Sequence, residues 1–184
     1  TTSTPNATGT GTTETLEQHA VTLTGVGKIL CQGTSDQGTS EQLIKVQNGG
    51  ALELQSGVLQ NTGGKHVVYV DGGTLDINGG YIVDGGRNGD PGGGIYVNSG
   101  TVNIQGGVVA ANRGNSGGGI YVNSGTLNIS GGAVTGNEVI NGHADNGGGI
   151  YVNSGTLNLS GVGYVTNNSK SCECATCKDD ADNT

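Results

Sequence analysis

The sequence contains no phenylalanine, tryptophan or methionine. An interior of large rings or flexible thioethers is therefore excluded, and any core must be laid down in thin layers of Val, Ile, Leu and Ala. Basic residues are scarce, with seven Lys and Arg against fifteen Asp and Glu and a net charge of −8. The chain thus lacks the basic footprint of a nucleic-acid binder and the polybasic segment that seeks an anionic membrane surface. No apolar stretch approaches the ~20 residues of a membrane-crossing helix, so no membrane insertion is expected. There is no initiating Met and no secretory leader, and Thr1 reads as the start of a processed chain or of a fragment. Scarce Lys in a Thr-, Ser-, Asn- and Gly-rich background suits a secreted or cell-surface protein.

What is abundant is glycine, 39 residues of 184, and it recurs in a fixed phrase. GGGIYVNSGT stands at 92–101, 117–126 and 147–156. Setting the register on Val46, Val70, Val97, Val122 and Val152 gives gaps of 24, 27, 25 and 30 residues by subtraction. Repeats of this length point to a solenoid, a propeller or an array. Each unit reads as three short alternating strands separated by Gly, Asn and Ser, with no 3.6-residue period. About 25 residues is too short for a four-stranded propeller blade. One unit is therefore one coil of a β-helix, and the expected fold is all-β: a right-handed, single-stranded parallel β-helix of about six coils, on the order of 30 Å long.

Alternation assigns the faces. Four inward columns are expected: Val68, Ile95, Ile120 and Ile150; Val70, Val97, Val122 and Val152; Leu75, Val102, Leu127 and Leu157; Ile77, Ile104, Ile129 and Leu159. Val109, Val134 and Val165 continue on a third strand. The segments 21–30 and 43–57 carry a looser version of the pattern. The body is expected over 19–168, preceded by a polar arm at 1–18 and followed by a Cys-rich acidic tail at 169–184. Length varies after the third strand, in RGNS at 113–116 and EVINGHADN at 138–146, which read as loops leaving one corner.

GGGI at 92–95, 117–120 and 147–150, followed by VxxN at 109–112, 134–137 and 165–168, resembles the GG[AG][IV]…xxN repeats of right-handed β-helix surface proteins. These include polymorphic outer-membrane-type adhesins and repeat-rich surface proteins of gut anaerobes. The resemblance covers about 65–168 and implies an exported, surface-associated, non-catalytic scaffold or adhesin.

Three groups of residues carry the functional expectations. The first is an outward stripe of Tyr69, Tyr96, Tyr121 and Tyr151 beside Asn98, Asn123 and Asn153. Aromatic rings beside amides suit a host or matrix glycan or another partner, although same-face stacking also stabilises a sheet by ~0.2–1 kcal/mol per pair. The second is Cys31 with the CxCxxC of Cys172, Cys174 and Cys177. Within one solenoid the two groups would be ~25 Å apart, too far to bridge. That leaves free or locally paired thiols, a metal site in the tail, or a disulfide between one subunit's tail and the next subunit's Cys31. The third is the ionic group Asp71, Asp76, Asp84, Arg87 and Asp90. Asp84 and Asp90 are weak Ca²⁺ candidates, since Ca²⁺ takes six to eight oxygens. A lyase would centre on Asp71, Asp84, Arg87 and Asp90. Asp71 is expected to align with Asn98, and Asp76 with Asn103. The three histidines, His19, His66 and His143, fall at non-equivalent positions and read as surface loop residues. No cofactor is expected. The function expected is a non-enzymatic extracellular structural protein, an adhesin segment or a fibre subunit that stacks end to end through open sheet edges. The alternatives are a glycan-binding module and a Ca²⁺-dependent polysaccharide lyase.

Overall fold

The computed structural model describes residues 14–17, 20–25, 27–31, 42–86, 90–140 and 146–171. They form a parallel β-solenoid, and among them there is no helix. The first face stacks Glu14–Glu17, Ile44–Gln47, the first halves of Val68–Ile77 and Ile95–Ile104, then Ile120–Val122 and Ile150–Val152. The second face stacks Ala20–Leu23, Ala51–Leu54, the second halves of the same two long strands, Thr126–Ile129 and Thr156–Leu159. The third face stacks Lys28–Cys31, Val58–Asn61, Tyr81–Val83, Val108–Ala110, Ala133–Thr135 and Tyr164–Thr166. Six strands on a face make six rungs joined by five turns, close to the expected six coils.

Every pairing between rungs is parallel, and the inward residues pair along the expected columns. Val68 pairs with Ile95, Ile95 with Ile120 and Ile120 with Ile150. Leu75, Val102, Leu127 and Leu157 are successive partners, as are Ile77, Ile104, Ile129 and Leu159. Inward side chains of the middle rungs are sealed: Ile95, Val97, Val102, Ile104, Val109, Ile120, Val122, Leu127 and Val134 are all 0% exposed. Each such side chain contributes about 1.5–3 kcal/mol by leaving water. The interior is thus filled by stacked columns of Val, Ile and Leu, in line with the missing Phe, Trp and Met.

Three expectations need correction. The segments 113–116 and 138–146 are not loops throughout. Arg113–Gly114, Glu138–Ile140 and Ser169–Ser171 pair as a short fourth ladder, and Val139 on it is fully buried. The alternation there is too short to read from sequence. Asp71 pairs with Ser99 rather than Asn98, because the register shifts around it where the first face turns into the second. His66 is not a surface loop residue: it is 5% exposed.

Candidate functional site

The outward positions of the first face form an aromatic column. Tyr69 and Tyr96 stack with ring centroids 5.2 Å apart and planes 4° from parallel. Tyr96 to Tyr121 is 5.1 Å and Tyr121 to Tyr151 is 5.5 Å. Parallel in-register strands place each ring over its copy, so the spacing follows from the ~4.8 Å rung distance. Below the stack, Lys45 Nζ stands 5.6 Å from the Tyr69 centroid, a cation–π contact. At the same end His66 packs on Tyr96 at 4.9 Å and on Tyr69 at 5.8 Å. Burial raises the phenol pKa of Tyr69, Tyr96 and Tyr121. The Asp71 carboxylate adds to it at Tyr69, and neighbouring phenols add to it at Tyr96 and Tyr121. The rings turn their faces to one another. A ligand approaching the stripe therefore meets ring edges and phenolic hydroxyls rather than stacking faces.

The expected amide neighbours are present and bonded along the stack. Asn153 Nδ2 donates to Asn123 Oδ1 (3.2 Å), Asn123 to Asn98 (3.2 Å) and Asn98 to Asp71 Oδ1 (2.9 Å). Ser99 Oγ donates to the same carboxylate oxygen at 3.1 Å. A second outward column does likewise: Asn158 to Asn128 (2.8 Å), Asn128 to Asn103 (2.7 Å) and Asn103 to Asp76 (2.7 Å). Asp71 and Asp76 are thus acceptors that terminate amide ladders.

The buried counterpart is the Asn of each VxxN, which sequence reading used only as a family mark. Asn112 and Asn137 are fully buried. Asn112 Nδ2 donates to Asn137 Oδ1 (3.0 Å) and to Ile82 O (3.0 Å). Asn137 Nδ2 donates to Asn168 Oδ1 (3.0 Å) and to Val109 O (2.9 Å). Each Oδ1 also accepts the backbone N–H of the rung before it, from Gly85, Asn112 and Asn137 in turn. Against this ladder lies the third glycine of each GGG. A Cβ on Gly119 would stand 2.8 Å from the Asn137 side chain and 2.8 Å from the Gly149 carbonyl oxygen. GGG and xxN are two halves of one packing unit.

His66 is held between the first glycine of the next rung's GGG and Asn61, whose Nδ2 donates to the His66 carbonyl at 2.8 Å. Its Nδ1 lies 3.0 Å from Gly92 O, which places the proton of the neutral ring on Nδ1. Burial lowers its pKa to about 4, against the opposing pull of the Gly92 carbonyl and Asp90.

The acidic group expected around 71–90 is dispersed. Asp71 and Asp76 lie in the ladders. Asp84 accepts a hydrogen bond from Gln60 at a corner where φ is +57°, and the Asp90 carbonyl accepts from Asn115 N at 3.3 Å. Among the described residues, no three or more His, Cys, Asp or Glu side chains converge as a metal site. Arg87, Cys172, Cys174 and Cys177 lie outside the described residues, as does the side chain of Cys31. Cys31 ends the first strand of the third face. One ionic grouping was missed. A notch of about 220 Å³ is lined by Asp84, Arg113 and Glu138 over a floor that includes Ala111 and Gly136. Arg113 Nε meets Glu138 Oε2 at 3.1 Å. The two residues are direct cross-strand partners, so the pair is a surface bridge of the fourth ladder, worth up to about 1 kcal/mol.

Comparison with known proteins finds no matching family model, no matching curated protein and no matching solved structure. The likeness to surface-protein repeats therefore rests on the GGGI and VxxN motifs alone.

Proposed function

We propose that the chain is a non-enzymatic structural solenoid of the extracellular space or cell surface, either an adhesin segment or a fibre subunit that stacks end to end. The observation that supports this is how the repeated residues are used. The glycines receive neighbouring carbonyls, the inner and outer asparagines bond to one another, and the tyrosines stack face to face. The phrase that recurs three times builds the stack itself, and the edge of the Tyr and Asn stripe is the surface an adhesin would offer to a glycan or partner. Cys31 and the tail cysteines are positioned in the sequence to lock one subunit to the next by disulfides in an oxidising compartment. Native mass measurement and negative-stain imaging, with and without reductant, test the reading. Reductant-sensitive linear assemblies that vanish in Cys31→Ser would support the locked fibre. A monomer under both conditions would remove the fibre and leave only the adhesin form.

A further inference from the structure

The last rung repeats the chemistry of the buried rungs without their burial. Residues 147–156 are identical to 117–126. Yet Leu159 is 63% exposed where its partner Ile129 is 2%, and Val165 is 46% exposed where its partner Val134 is 0%. Tyr164 beside them is 64% exposed. The hollow at this end is lined in part by Ile150, Val152, Leu157, Leu159 and Val165, the inward columns of the core continued to an edge with no further rung among the described residues. None of these positions carries the charge or proline that blunts a sheet edge.

We infer that the occupant of this edge is the first rung of a second copy, seated in the register the molecule already uses between its own rungs. This rests on the stacking reading above and gives it a junction. The columns fix the contacts. Following partner to partner from the first rung, Val21 lies in the column of Leu157, Leu23 in that of Leu159 and Ile29 in that of Val165. Aliphatic residues meet aliphatic residues at each of these positions, and on the first face Leu16 lies in the column of Val152 while Glu14 lies in that of Ile150. Lys28 lies in the column of Tyr164, and both are exposed. A lysine over a tyrosine one rung away already exists inside the molecule, where Lys45 faces Tyr69. The first-rung strands have a partner on one side only among the described residues, so both ends are parallel edges, the last more open than the first, where Leu23 is 8% exposed. Such a contact is heterologous and does not close, so it propagates as a filament.

The test is sedimentation velocity in reducing buffer over a range of concentrations. The wild type should assemble progressively. Tyr164→Lys sets lysine against Lys28 and should raise the half-assembly concentration roughly tenfold. Adding Lys28→Glu should restore assembly by turning the clash into an ion pair. Leu159→Asp should abolish it, while Tyr81→Lys, exposed on the side of the stack, should leave it intact. Circular dichroism verifies that each variant keeps the strand signal. An assembling wild type indifferent to Tyr164→Lys and Leu159→Asp would overturn this junction and leave stacking by another surface. A wild type that stays monomeric in this buffer would overturn the junction, and the same run without reductant then separates a disulfide-locked fibre from the adhesin form. A monomer that assembles only after removal of residues 172–184 would show that the chain's own tail fills the edge, which also overturns the inference.

Discussion

Replacing Asn137 by leucine keeps the side chain's size and removes its polar atoms. Asn137 is 0% exposed and takes part in four side-chain hydrogen bonds. Its Nδ2 donates to Val109 O (2.9 Å) and Asn168 Oδ1 (3.0 Å), and its Oδ1 accepts from Asn112 N (3.1 Å) and Asn112 Nδ2 (3.0 Å). At a net ~1 kcal/mol each, the four contribute about 4 kcal/mol. The Asn112 N–H faces leucine methyls in the variant, and an orphaned buried donor costs about 1–3 kcal/mol. The apolar atoms gained return about 1–2 kcal/mol. The expected net loss is therefore about 3–6 kcal/mol. Urea unfolding followed by far-ultraviolet circular dichroism and tyrosine fluorescence measures it, with an unchanged slope showing that the same surface is exposed. Hydrogen exchange gives a local reading: the Asn112 amide should lose protection beyond the global change. The comparison variant is Asn128→Ala on the outer ladder. It breaks two bonds of 2.7 and 2.8 Å in contact with water and should lose about 0.5–1 kcal/mol. If Asn137→Leu loses less than about 1 kcal/mol, or no more than Asn128→Ala, the inner ladder is not what holds the corner and the reasoning fails.

Gly119→Ala should destabilise by more than about 2 kcal/mol in the same urea assay, because its Cβ has only 2.8 Å to the Asn137 amide and the Gly149 carbonyl. Gly136→Asn should stay within about 0.5 kcal/mol of wild type, since nothing lies within 4 Å of a Cβ there and Asn167 already adopts the same left-handed conformation one rung on. His66 has a folded pKa of about 4, below the 6.5 of an unfolded chain, so the unfolded state takes the proton first. The stability held in the neutral ring is complete above pH 6.5 and is lost as pH falls toward 4, by roughly 3 kcal/mol at most. Comparing wild type with His66→Gln at pH 7 and pH 4.5 should show the variant missing that part of the decline. Tyr121→Ala removes two stacking contacts and should lose about 1–3 kcal/mol, with a weakened near-ultraviolet tyrosine signal. An unchanged thermal midpoint would show that the column is ornamental to stability.

The solenoid was legible because its signal is repetition, and repetition survives without knowledge of contacts. Period-two alternation in IYV and TLNI, placed at intervals of about 25 residues, fixes both the inward columns and the parallel register. The three faces and their order follow directly. The fourth ladder was not legible, since Arg113–Gly114 is two residues long and alternation needs more. The place of His66 was hidden for a related reason. Two residues before Val68, it stands where the later rungs carry Gly93, Gly118 and Gly148, so the repeat offers only glycines with which to compare it. At Asp71 the column alignment failed by one residue because the corner absorbs a register shift, and shifts of that kind leave no trace in a short repeat. The Tyr and outer Asn columns were found as residues, but their use was not: sequence shows a stripe of rings, while the interplanar angles of 4° to 19° show rings turned toward one another.

Comparing equivalent corners explains why some letters never change between rungs and others do. Asp84, Ala111, Gly136 and Asn167 hold one position at the end of the third face, and their φ values are 57°, 54°, 62° and 54°. The backbone is the same in all four, and it is the left-handed conformation that glycine adopts most readily. Only one of the four is glycine, because the Cβ at that corner has room. At Gly94, Gly119 and Gly149 all three rungs keep glycine and the chain reports no positive φ. There the neighbouring Asn amide stands 2.5 to 2.8 Å from where a Cβ would be, and any side chain would break the inner ladder. At the third glycine of GGG, sameness between rungs therefore follows what the next residue fills, while Gly100 and Gly125 of the same phrase also sit at φ of 95° and 99°. The phrase GGGIYVNSGT recurs unchanged because almost every letter in it is in contact with its own copy.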